Sequence, residues 1–266
     1  MNTNQDLSSK RLQKSERREQ ILLELRLHPH VRISDMAGRF GVSNETVRRD
    51  MESLSKDGLI SRAHGGASAS HQYPDFDQRS CDRLEEREAI GRRAAALVEP
   101  GDTVMIDSGS TTAQLARFLA YAGTPCTVIT NSLTVAMTLG RSKVVEVILC
   151  PGDYMPSETA VLGTDTIDFL ERYHVDLCIL GASGFSQQGV FETVRGFAAV
   201  KRAMLSSSAQ AHLLIDSGKS GCSGLVRVSQ LEALSSVIID QAPEAQLAEA
   251  LAAADVEVIV AEKSVT

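Results

Sequence analysis

A polar run early in the larger part of the sequence has the composition of an anion-binding turn. The apolar segment Thr103–Ile106 leads into Asp107, Ser108, Gly109, Ser110, Thr111 and Thr112, after which a helical pattern begins. Such a turn places free backbone N–H groups and hydroxyls at a helix N-terminus, where the helix dipole favours a phosphate. It is not a Walker loop and contains no G-x-G-x-x-G motif. Ordinary N-capping of the helix by Ser110 or Thr111 is the simpler interpretation.

Further polar residues follow other predicted strands. Thr130, Asn131 and Ser132 end the second strand, Gly181, Ala182, Ser183 and Gly184 end the fourth, and Lys219 lies just past the fifth. Open α/β sheets bind ligands at the carboxyl ends of their strands, so these turns are expected to form one site. Lys219 would add a cation suited to a phosphate, although a single lysine in such a loop is more often only solvated.

A second group of residues, nearer the N-terminus, has the spacing of a DNA-reading helix. Val47, Met51 and Leu54 recur at i, i+4 and i+7, which predicts a helix with one buried side. Ser43 has the chemistry of its N-cap. The exposed side then carries Asn44, Glu45, Thr46, Arg48 and Arg49, where base edges and phosphates of a major groove would lie. Either arginine can pair with a guanine edge, and the asparagine with an adenine.

Neighbouring segments supply the rest of a winged helix-turn-helix. Helical patterns over 15–27 and 33–40 precede the reading helix, and Gly41 breaks the second of them. A short strand over 59–62 then runs into a glycine turn, from which Arg62, His64 and Gly65 can approach phosphates or the minor groove. A surface helical hairpin with solvated arginines is the alternative, but such a hairpin has no need of a wing.

The charge of the chain is unevenly distributed. Its 266 residues carry a net charge of -7, yet residues 1–70 hold 12 basic and 9 acidic residues, or +3, which leaves -10 for residues 71–266. A small basic head on an acidic body is suited to touching DNA with one end only. The sequence has neither a membrane-spanning apolar run nor a secretory signal, which predicts a cytoplasmic protein without a membrane partner. The five cysteines are widely spaced, so no metal and no cofactor is expected.

Beyond residue 101 the sequence alternates short apolar runs with helical stretches. Strands are predicted over 103–106, 127–130, 144–149, 175–180, 213–216, 237–240 and 256–260. Runs that are apolar on both faces are typical of a parallel sheet covered by helices. The predicted fold class is therefore α/β, with a small winged helix-turn-helix domain over 14–69, a linker over 70–82, and a larger α/β domain with a mostly parallel sheet over 83–266.

Both predicted domains resemble those of the DeoR family of transcription regulators. In the first domain the resemblance is carried by the run Gly41-Val42-Ser43-Asn44-Glu45-Thr46-Val47-Arg48-Arg49-Asp50, by Leu54 and Gly58, and by the ending Arg62-Ala63-His64-Gly65-Gly66-Ala67. In the second domain it is carried by the polar turns described above, with Gly163, Lys201, Asp216 and Lys219. Pro151 and Phe197 depart from the family, which usually has a glycine and a glutamate there.

The resemblance implies a function as well as a fold. It implies a repressor of a carbohydrate-utilisation operon that binds a double-stranded DNA operator as a homo-oligomer. It also implies a sensing domain whose fold resembles sugar-phosphate isomerases and whose effector is a phosphorylated sugar, with Lys201 among the effector-binding residues. The departures at Pro151 and Phe197 bear on which effector is bound, and not on the fold.

An enzyme of the ribose-phosphate isomerase type is the main alternative. Such an enzyme needs a positioned carboxylate base, and at the turn after the fourth strand those enzymes resemble Asp-Gly-Ala-Asp-Glu. Here Ser183 and Gly184 occupy the acidic positions, so no catalytic residue is assigned, although Asp107 or Glu192 could substitute. A third possibility is a DNA-binding scaffold that senses no ligand, in which the hydroxyl-rich turns are only helix caps.

Overall fold

The computed structural model describes residues 13–27, 30–56, 60–63, 66–69, 76 and 82–262. The chain divides into two compact units, Met1–Pro74 and Asp75–Thr266. Most of the predicted linker, 70–82, lies outside the described residues. Within the part of the chain that is described, no helix is both long enough and apolar enough to cross a membrane.

The first unit combines helices with a small antiparallel sheet. The helices are α1 (Lys14–Leu27), α2 (Ile33–Phe40) and α3 (Asn44–Lys56). The strands are β1 (His30–Arg32), β2 (Ile60–Ala63) and β3 (Gly66–Ala69), paired in the order β1-β3-β2. Helices followed by an antiparallel strand pair form the winged helix-turn-helix that the sequence predicts.

One apolar side of each helix forms the core of the first unit. The buried residues are Ile21, Val31, Met36, Ala37, Phe40, Val47, Met51 and Leu54. Val47, Met51 and Leu54 are the predicted buried side of α3, so its opposite side is left for other contacts. Gly41 ends α2 with a φ of 61°, a left-handed conformation that glycine adopts without strain.

Ion pairs to buried carboxylates hold α1 against the other two helices. Arg17 Nε donates to Asp50 Oδ2 at 2.8 Å, and Asp50 is 2% exposed. Arg39 of α2 pairs with the buried Glu24 of α1. Because an unpaired buried charge is strongly unfavourable, Asp50 fixes the position of α3. Asp50 was noted from the sequence only as part of the family resemblance, and its contact with Arg17 was not predicted.

The second unit is built around a parallel sheet. In chain order its strands are β4 (Thr103–Ile106), β5 (Cys126–Thr130), β6 (Val145–Leu149), β7 (Asp153–Met155), β8 (Ala160–Leu162), β9 (Val175–Leu180), β10 (Gly184–Ser186), β11 (Gly189–Glu192), β12 (Ser208–Ile215), β13 (Val226–Ser229), β14 (Ser236–Ile239) and β15 (Glu257–Val260). Its helices of seven or more residues are α4 (Leu84–Ala95), α5 (Ser110–Ala122), α6 (Leu133–Leu139), α7 (Thr164–Leu170), α8 (Arg195–Ser206) and α9 (Ala245–Ala253).

All seven strands predicted from the sequence belong to one sheet. Its order is β15-β14-β12-β9-β4-β5-β6, and every neighbouring pair is parallel. The prediction of a mostly parallel sheet is therefore confirmed. Strand β12 starts at Ser208, earlier than the predicted residue 213. The prediction missed this start because the first three residues of the strand are not buried and lack an apolar pattern.

Helices cover both faces of this sheet. Val104 and Ile106 point to one face, where they pack with Leu115 of α5. Met105, between them, points to the opposite face and packs with Met204 of α8. Successive side chains of a strand alternate between faces, so a strand buried on both sides must be apolar throughout. This explains why the sequence identified these strands.

Shorter antiparallel strands also occur in this unit, and they were not predicted from the sequence. Strand β7 pairs with β8, and β10 pairs with β11, which pairs with β13. Gly184, predicted to lie in a turn, is the first residue of β10. Gly189 has a φ of 120°, and a Cβ there would lie 2.1 Å from the Ser229 carbonyl oxygen. These strands have only three or four residues, which is too short for a reliable strand pattern in the sequence.

Candidate functional site

The N-terminus of α3 is capped as the sequence predicts. The Thr46 N–H donates to Ser43 Oγ at 3.2 Å, and the two side-chain oxygens of these residues lie 2.9 Å apart. Asn44 and Glu45, the first residues of the helix, are exposed. The start of α3 is thus fixed, and its exposed side chains are available to a ligand.

The two arginines proposed to read DNA are exposed and are paired on their own helix. The Arg48 side chain is 53% exposed and lies 3.5 Å from Glu45 Oε2. The Arg49 side chain is 76% exposed and lies 3.3 Å from Glu45 Oε1. Exposed ion pairs contribute roughly 0.2–1 kcal/mol, so a phosphate or a guanine can replace the carboxylate. The sequence did not predict that Glu45 holds both arginines.

The predicted wing residues are only partly covered by the structure. Arg62 lies in β2, where the backbone is described, and His64 and Gly65 lie outside the described residues. Their assignment to DNA therefore stays a prediction.

The polar turns of the second unit meet at the carboxyl edge of the parallel sheet. Ile106 of β4 is paired in register with Thr130 of β5 and with Ile179 of β9, and Leu180 of β9 is paired with Leu213 of β12. The residues that follow these strands are therefore neighbours. We call them the edge site: residues 107–112, 130–132 and 181–184, with Lys201 and Lys219.

A buried ion cluster forms the base of the edge site. Asp107 is fully buried, and its Oδ2 accepts hydrogen bonds from Lys201 Nζ and, at 3.2 Å, from the Gly181 N–H. Lys201 is 2% exposed, and its Nζ lies 3.5 Å from Glu192 Oε2. Burial raises the pKa of Asp107, and the Lys201 ammonium opposes this increase. The lysine named by family resemblance thus neutralises buried carboxylates within the protein.

Glu192 joins this cluster to the turn after β9. Its Oε1 accepts hydrogen bonds from Ser183 Oγ and, at 2.8 Å, from the Thr193 N–H. Burial acts to raise the pKa of Glu192, but Lys201, Ser183 and Thr193 together lower it. The structure therefore brings a carboxylate to the turn where the sequence has none, and keeps that carboxylate ionised.

Helix α5 begins at this edge without a side-chain cap. Its N-cap residue is Gly109, and Ser110 and Thr111 are its first two residues. N-capping by Ser110 or Thr111, the simpler interpretation of this sequence, is therefore wrong. Thr112 Oγ1 donates to the Gly109 carbonyl at 3.0 Å, so that hydroxyl stabilises the turn. Backbone N–H groups of a first helical turn that lack a capping side chain are suited to bind an anion.

The turn after β5 uses its hydroxyls internally. Thr130 Oγ1 donates to the Ile106 carbonyl at 2.6 Å, and Ser132 Oγ accepts from the Val135 N–H at 3.2 Å and caps α6. Asn131 Nδ2 donates to the Val161 carbonyl at 3.0 Å, but Asn131 Oδ1 is buried without a partner. Of these three side chains, the asparagine alone keeps a free buried acceptor.

Lys219 extends over the turn after β9. It lies in a short 3-10 turn, 217–219, and its Nζ donates to the Ala182 carbonyl at 2.7 Å. Gly184, at the end of the β9 turn, packs so closely that a Cβ would lie 2.6 Å from the Cys222 carbonyl oxygen. Lys219 thus brings a positive charge to the edge site, and Gly184 serves the local packing.

A second ion cluster beside Lys219 was missed by the sequence analysis. Arg83 Nη2 donates to Asp240 Oδ2 at 2.9 Å and to Ser217 Oγ at 2.7 Å. Arg87 Nη2 donates to Asp216 Oδ2 at 3.2 Å. Arg83 and Asp240 are 157 residues apart in sequence. Asp216 was noticed only through the family resemblance, and no local pattern marks the other members.

The described residues offer little to a metal ion. Among them, no group of three or more His, Cys, Asp or Glu side chains is placed to hold one. Cys126, Cys150 and Cys178 are buried free thiols. Burial raises the pKa of each of them, that of Cys150 to about 12, so these thiols stay protonated at neutral pH.

A winged helix-turn-helix joined to an α/β domain with a polar carboxyl edge is the architecture of a ligand-responsive transcription regulator. Comparison with known proteins identifies the family. The DeoR-like helix-turn-helix domain matches residues 17–73, and the DeoR C-terminal sensor domain matches residues 82–241. The chain belongs to the DeoR family.

Relatives of similar length are named as repressors. The putative aga operon transcriptional repressor of Escherichia coli O157:H7 is 30% identical over 92% of this chain and 93% of its own length. The glycerol-3-phosphate regulon repressor of Escherichia coli K12 is 29% identical over 90% of this chain and 96% of its own. Ribose 5-phosphate isomerase A from Neisseria gonorrhoeae superposes with a TM-score of 0.40 and 17% identity over 53% of this chain and 55% of its own.

Proposed function

We propose that this regulator represses a carbohydrate-utilisation operon and that a phosphorylated sugar, bound at the edge site, controls it. One observation carries the proposal. Two side-chain oxygens, Asp107 Oδ1 and Asn131 Oδ1, are buried without partners at the sheet edge where α5 begins without a side-chain cap. Buried acceptors without partners are unfavourable, so a ligand that carries hydrogen-bond donors would stabilise this edge.

The edge site offers hydrogen-bond donors to one kind of ligand group and hydrogen-bond acceptors to another. The first N–H groups of α5 and the Lys219 ammonium are donors, which suit a phosphate. The free oxygens of Asp107 and Asn131 are acceptors, and a phosphate dianion has no proton to give them. Hydroxyl groups have such protons. A small polyol or sugar with one phosphate satisfies both halves of the site.

The names of the relatives support this ligand class. One is the repressor of a glycerol-3-phosphate regulon, and another, from Streptococcus mutans, is a lactose phosphotransferase system repressor. The second is 30% identical over 86% of this chain. A phosphorylated product of sugar uptake is therefore the effector class that we propose for this chain.

We propose that α3 lies in the major groove of the operator. Arg48 and Arg49 would exchange Glu45 for guanine edges or phosphates, and Asn44 would reach an adenine. Ser43 and Thr46 would fix the end of the helix. The wing residues Arg62, His64 and Gly65 would contact the adjacent backbone or minor groove. A homo-oligomer would present two such helices to the half-sites of a two-fold symmetric operator.

We propose that the edge site binds its ligand without turnover. An isomerase base needs a pKa near the working pH, whereas the pKa of Glu192 is lowered and its Oε1 accepts hydrogen bonds from Ser183 and Thr193. Asp107 is held by Lys201. The lowered pKa makes Glu192 a weak base, and we assign the free Oδ1 of Asp107 to a hydroxyl of the ligand and not to proton removal from carbon. If incubation with ribose 5-phosphate yields ribulose 5-phosphate above the rate of a protein-free control, this part of the proposal is wrong.

Thermal unfolding of the full chain tests the effector. We expect a sugar monophosphate at 100 times its Kd to stabilise the second unit, hereafter the sensor unit, by about 2.7 kcal/mol, which corresponds to roughly 5–10 °C in Tm for a domain of this size. Lys219→Ala should remove most of this shift. Lys143→Ala is the matched control, because Lys143 is exposed and follows α6, outside the edge site. Equal shifts in both variants would exclude Lys219 from the site.

A further inference from the structure

The ion cluster around Arg83 connects the edge site to the start of α4, near the N-terminal end of the second unit. Asp216, Ser217 and Lys219 belong to one short turn after β12. Arg83 directly precedes α4 and lies 3.2 Å, through Nε, from Asp216 Oδ1. Its Nη2 contacts Ser217 Oγ at 2.7 Å. One guanidinium thus holds the turn that carries the proposed phosphate-binding lysine.

Residues 216–219 form a single hydrogen-bonded turn that contains Lys219 and is contacted by Arg83. The Ser217 N–H donates to Asp240 Oδ1 at 2.6 Å, and Ser217 Oγ donates to Asp240 Oδ2 at 2.9 Å. The Lys219 N–H donates to the Asp216 carbonyl at 2.9 Å. A displacement at Lys219 is therefore passed to Asp216 and Ser217, the two residues of the turn that Arg83 contacts.

Arg83 is held in an unusual backbone conformation. Its φ is 48° and its ψ is 42°, in the left-handed region. Residues other than glycine rarely adopt this conformation, and they keep it where the surroundings enforce it. The contacts of the Arg83 side chain supply that enforcement. Loss of these contacts would let the backbone relax at Arg83, where α4 meets the chain that comes from the first unit, hereafter the DNA-binding unit.

We propose that Arg83 couples ligand binding at Lys219 to the chain segment that leads to the DNA-binding unit. The Lys219 ammonium now donates to the Ala182 carbonyl, and a phosphate would compete for it. The turn would then shift, and Arg83 would lose or gain contacts that set its backbone. This inference rests on the proposed function, because it requires an effector at the edge site. Arg83 is a positioning residue, and it does not touch the ligand.

The test compares effector binding with effector response in the full chain. The operator is a duplex selected by the parent protein from a random-sequence library. The probes are glucose 6-phosphate, ribose 5-phosphate, glycerol 3-phosphate and inorganic phosphate. Calorimetry gives the Kd of each probe, and fluorescence anisotropy gives the operator Kd with and without saturating probe. The ratio of the two operator Kd values is the coupling factor.

We expect a coupling factor of roughly 5- to 150-fold in the parent protein, and one within about two-fold of unity in Arg83→Gln. The probe Kd, measured without DNA, should change less than about three-fold, since Arg83 is outside the ligand contacts. Because coupling is reciprocal, operator DNA should also lose its effect on the probe Kd. In Arg83→Lys the probe should change the operator Kd only weakly, because an ammonium lacks the planar guanidinium geometry that reaches several acceptors at once.

Control variants separate this role from a general loss of stability. Arg117 is in the same unit, with a 58% exposed side chain that pairs with Glu88 and Gln114, and Arg117→Gln should keep the parent coupling factor. Asp240→Asn should lower the coupling factor as Arg83→Gln does, and the coupling factor of the double variant should be no lower than that of either single variant. An Arg83→Gln protein that binds a probe and releases DNA as the parent does overturns the role of Arg83. A parent protein that binds none of the probes overturns the proposed function, and this inference with it.

Discussion

Replacement of Lys201 by methionine tests the buried ion cluster most directly. Lys201 is 2% exposed and lies between two carboxylates, those of Asp107 and Glu192, which are 0% and 7% exposed. Methionine keeps the length and apolar volume of the lysine stem but removes the ammonium. Two buried carboxylates then face each other without a cation, which costs about 3–5 kcal/mol by analogy with broken buried ion pairs.

This destabilisation should depend on pH with a definite sign. Burial already raises the pKa of Asp107 in the parent, and the variant lacks the Lys201 ammonium that opposes this increase. The folded state then binds protons that the unfolded state does not, so lowering the pH stabilises the variant relative to the parent. In the parent, Lys201 keeps the pKa of Glu192 lowered. The stabilisation that ionised Glu192 gives the folded parent is therefore lost as the pH falls through this pKa. The stability difference should therefore narrow as the pH is lowered from about 7.5.

Urea unfolding followed by circular dichroism measures both effects. The expected loss of about 3–5 kcal/mol at pH 7.5 corresponds to roughly 6–20 °C in Tm for a unit of this size. The double variant Lys201→Met with Asp107→Asn should recover part of the loss, because it removes one of the two unpaired charges. A loss below about 1 kcal/mol at pH 7.5 would mean that the cluster is solvated, and a difference that grows at pH 5.5 would contradict the assigned charges.

Three other changes have expected outcomes. Asp50→Ala removes the partner of Arg17 and should destabilise the first unit by about 1–3 kcal/mol in urea unfolding. Arg48→Ala or Arg49→Ala should weaken operator binding by about 1–3 kcal/mol in anisotropy at fixed salt, mainly on the cognate site if the residue reads a base. Burial lowers the pKa of His212 from its ordinary 6.5, so stability should fall with pH below that value as the unfolded chain takes up a proton, and His212→Gln should flatten the slope.

Each of these three has a clear contrary result. As a control, Glu45→Gln changes an exposed ion pair in the same unit and should alter stability by less than about 0.5 kcal/mol. If Asp50→Ala has an equally small effect, the buried ion pair of Asp50 does not stabilise this unit. If both arginine variants keep the parent operator affinity, α3 is not in the groove. An unchanged pH slope in His212→Gln would assign the slope to other groups.

The sequence predicted the sheet well because burial on both faces leaves a direct trace in residue type. The runs at Thr103–Ile106 and Val175–Leu180 have the predicted bounds in the structure. The strand Gly189–Glu192 is also buried throughout, but it has four residues and begins with a glycine, so Val190 and Phe191 alone did not identify it. Polar turns after strands occur both as helix caps and in ligand sites. Residue type alone therefore did not show which of these two roles the turns of the edge site have.

Side-chain partners were the least predictable part of the edge site. Lys201 and Asp107 are 94 residues apart, and their contact depends on how two helices and two strands pack. Thr112 and Thr130 were predicted to lie in the effector site, and in the structure their hydroxyls donate to backbone carbonyls. Polar residues next to a strand end have nearby carbonyls to satisfy. Tertiary packing therefore determined which polar atoms remained free.

The pairing of Glu45 with Arg48 and Arg49 has a consequence for how the protein finds its target in a genome. Every phosphate on any DNA attracts an arginine, and a genome holds roughly a million to a billion competing sites. A carboxylate that already partly neutralises both arginines weakens this indiscriminate attraction. A true operator offers bidentate base contacts that can displace the carboxylate, and random sequence offers only phosphates. If α3 reads DNA as proposed, Glu45 would shorten the time that the protein spends on non-operator DNA.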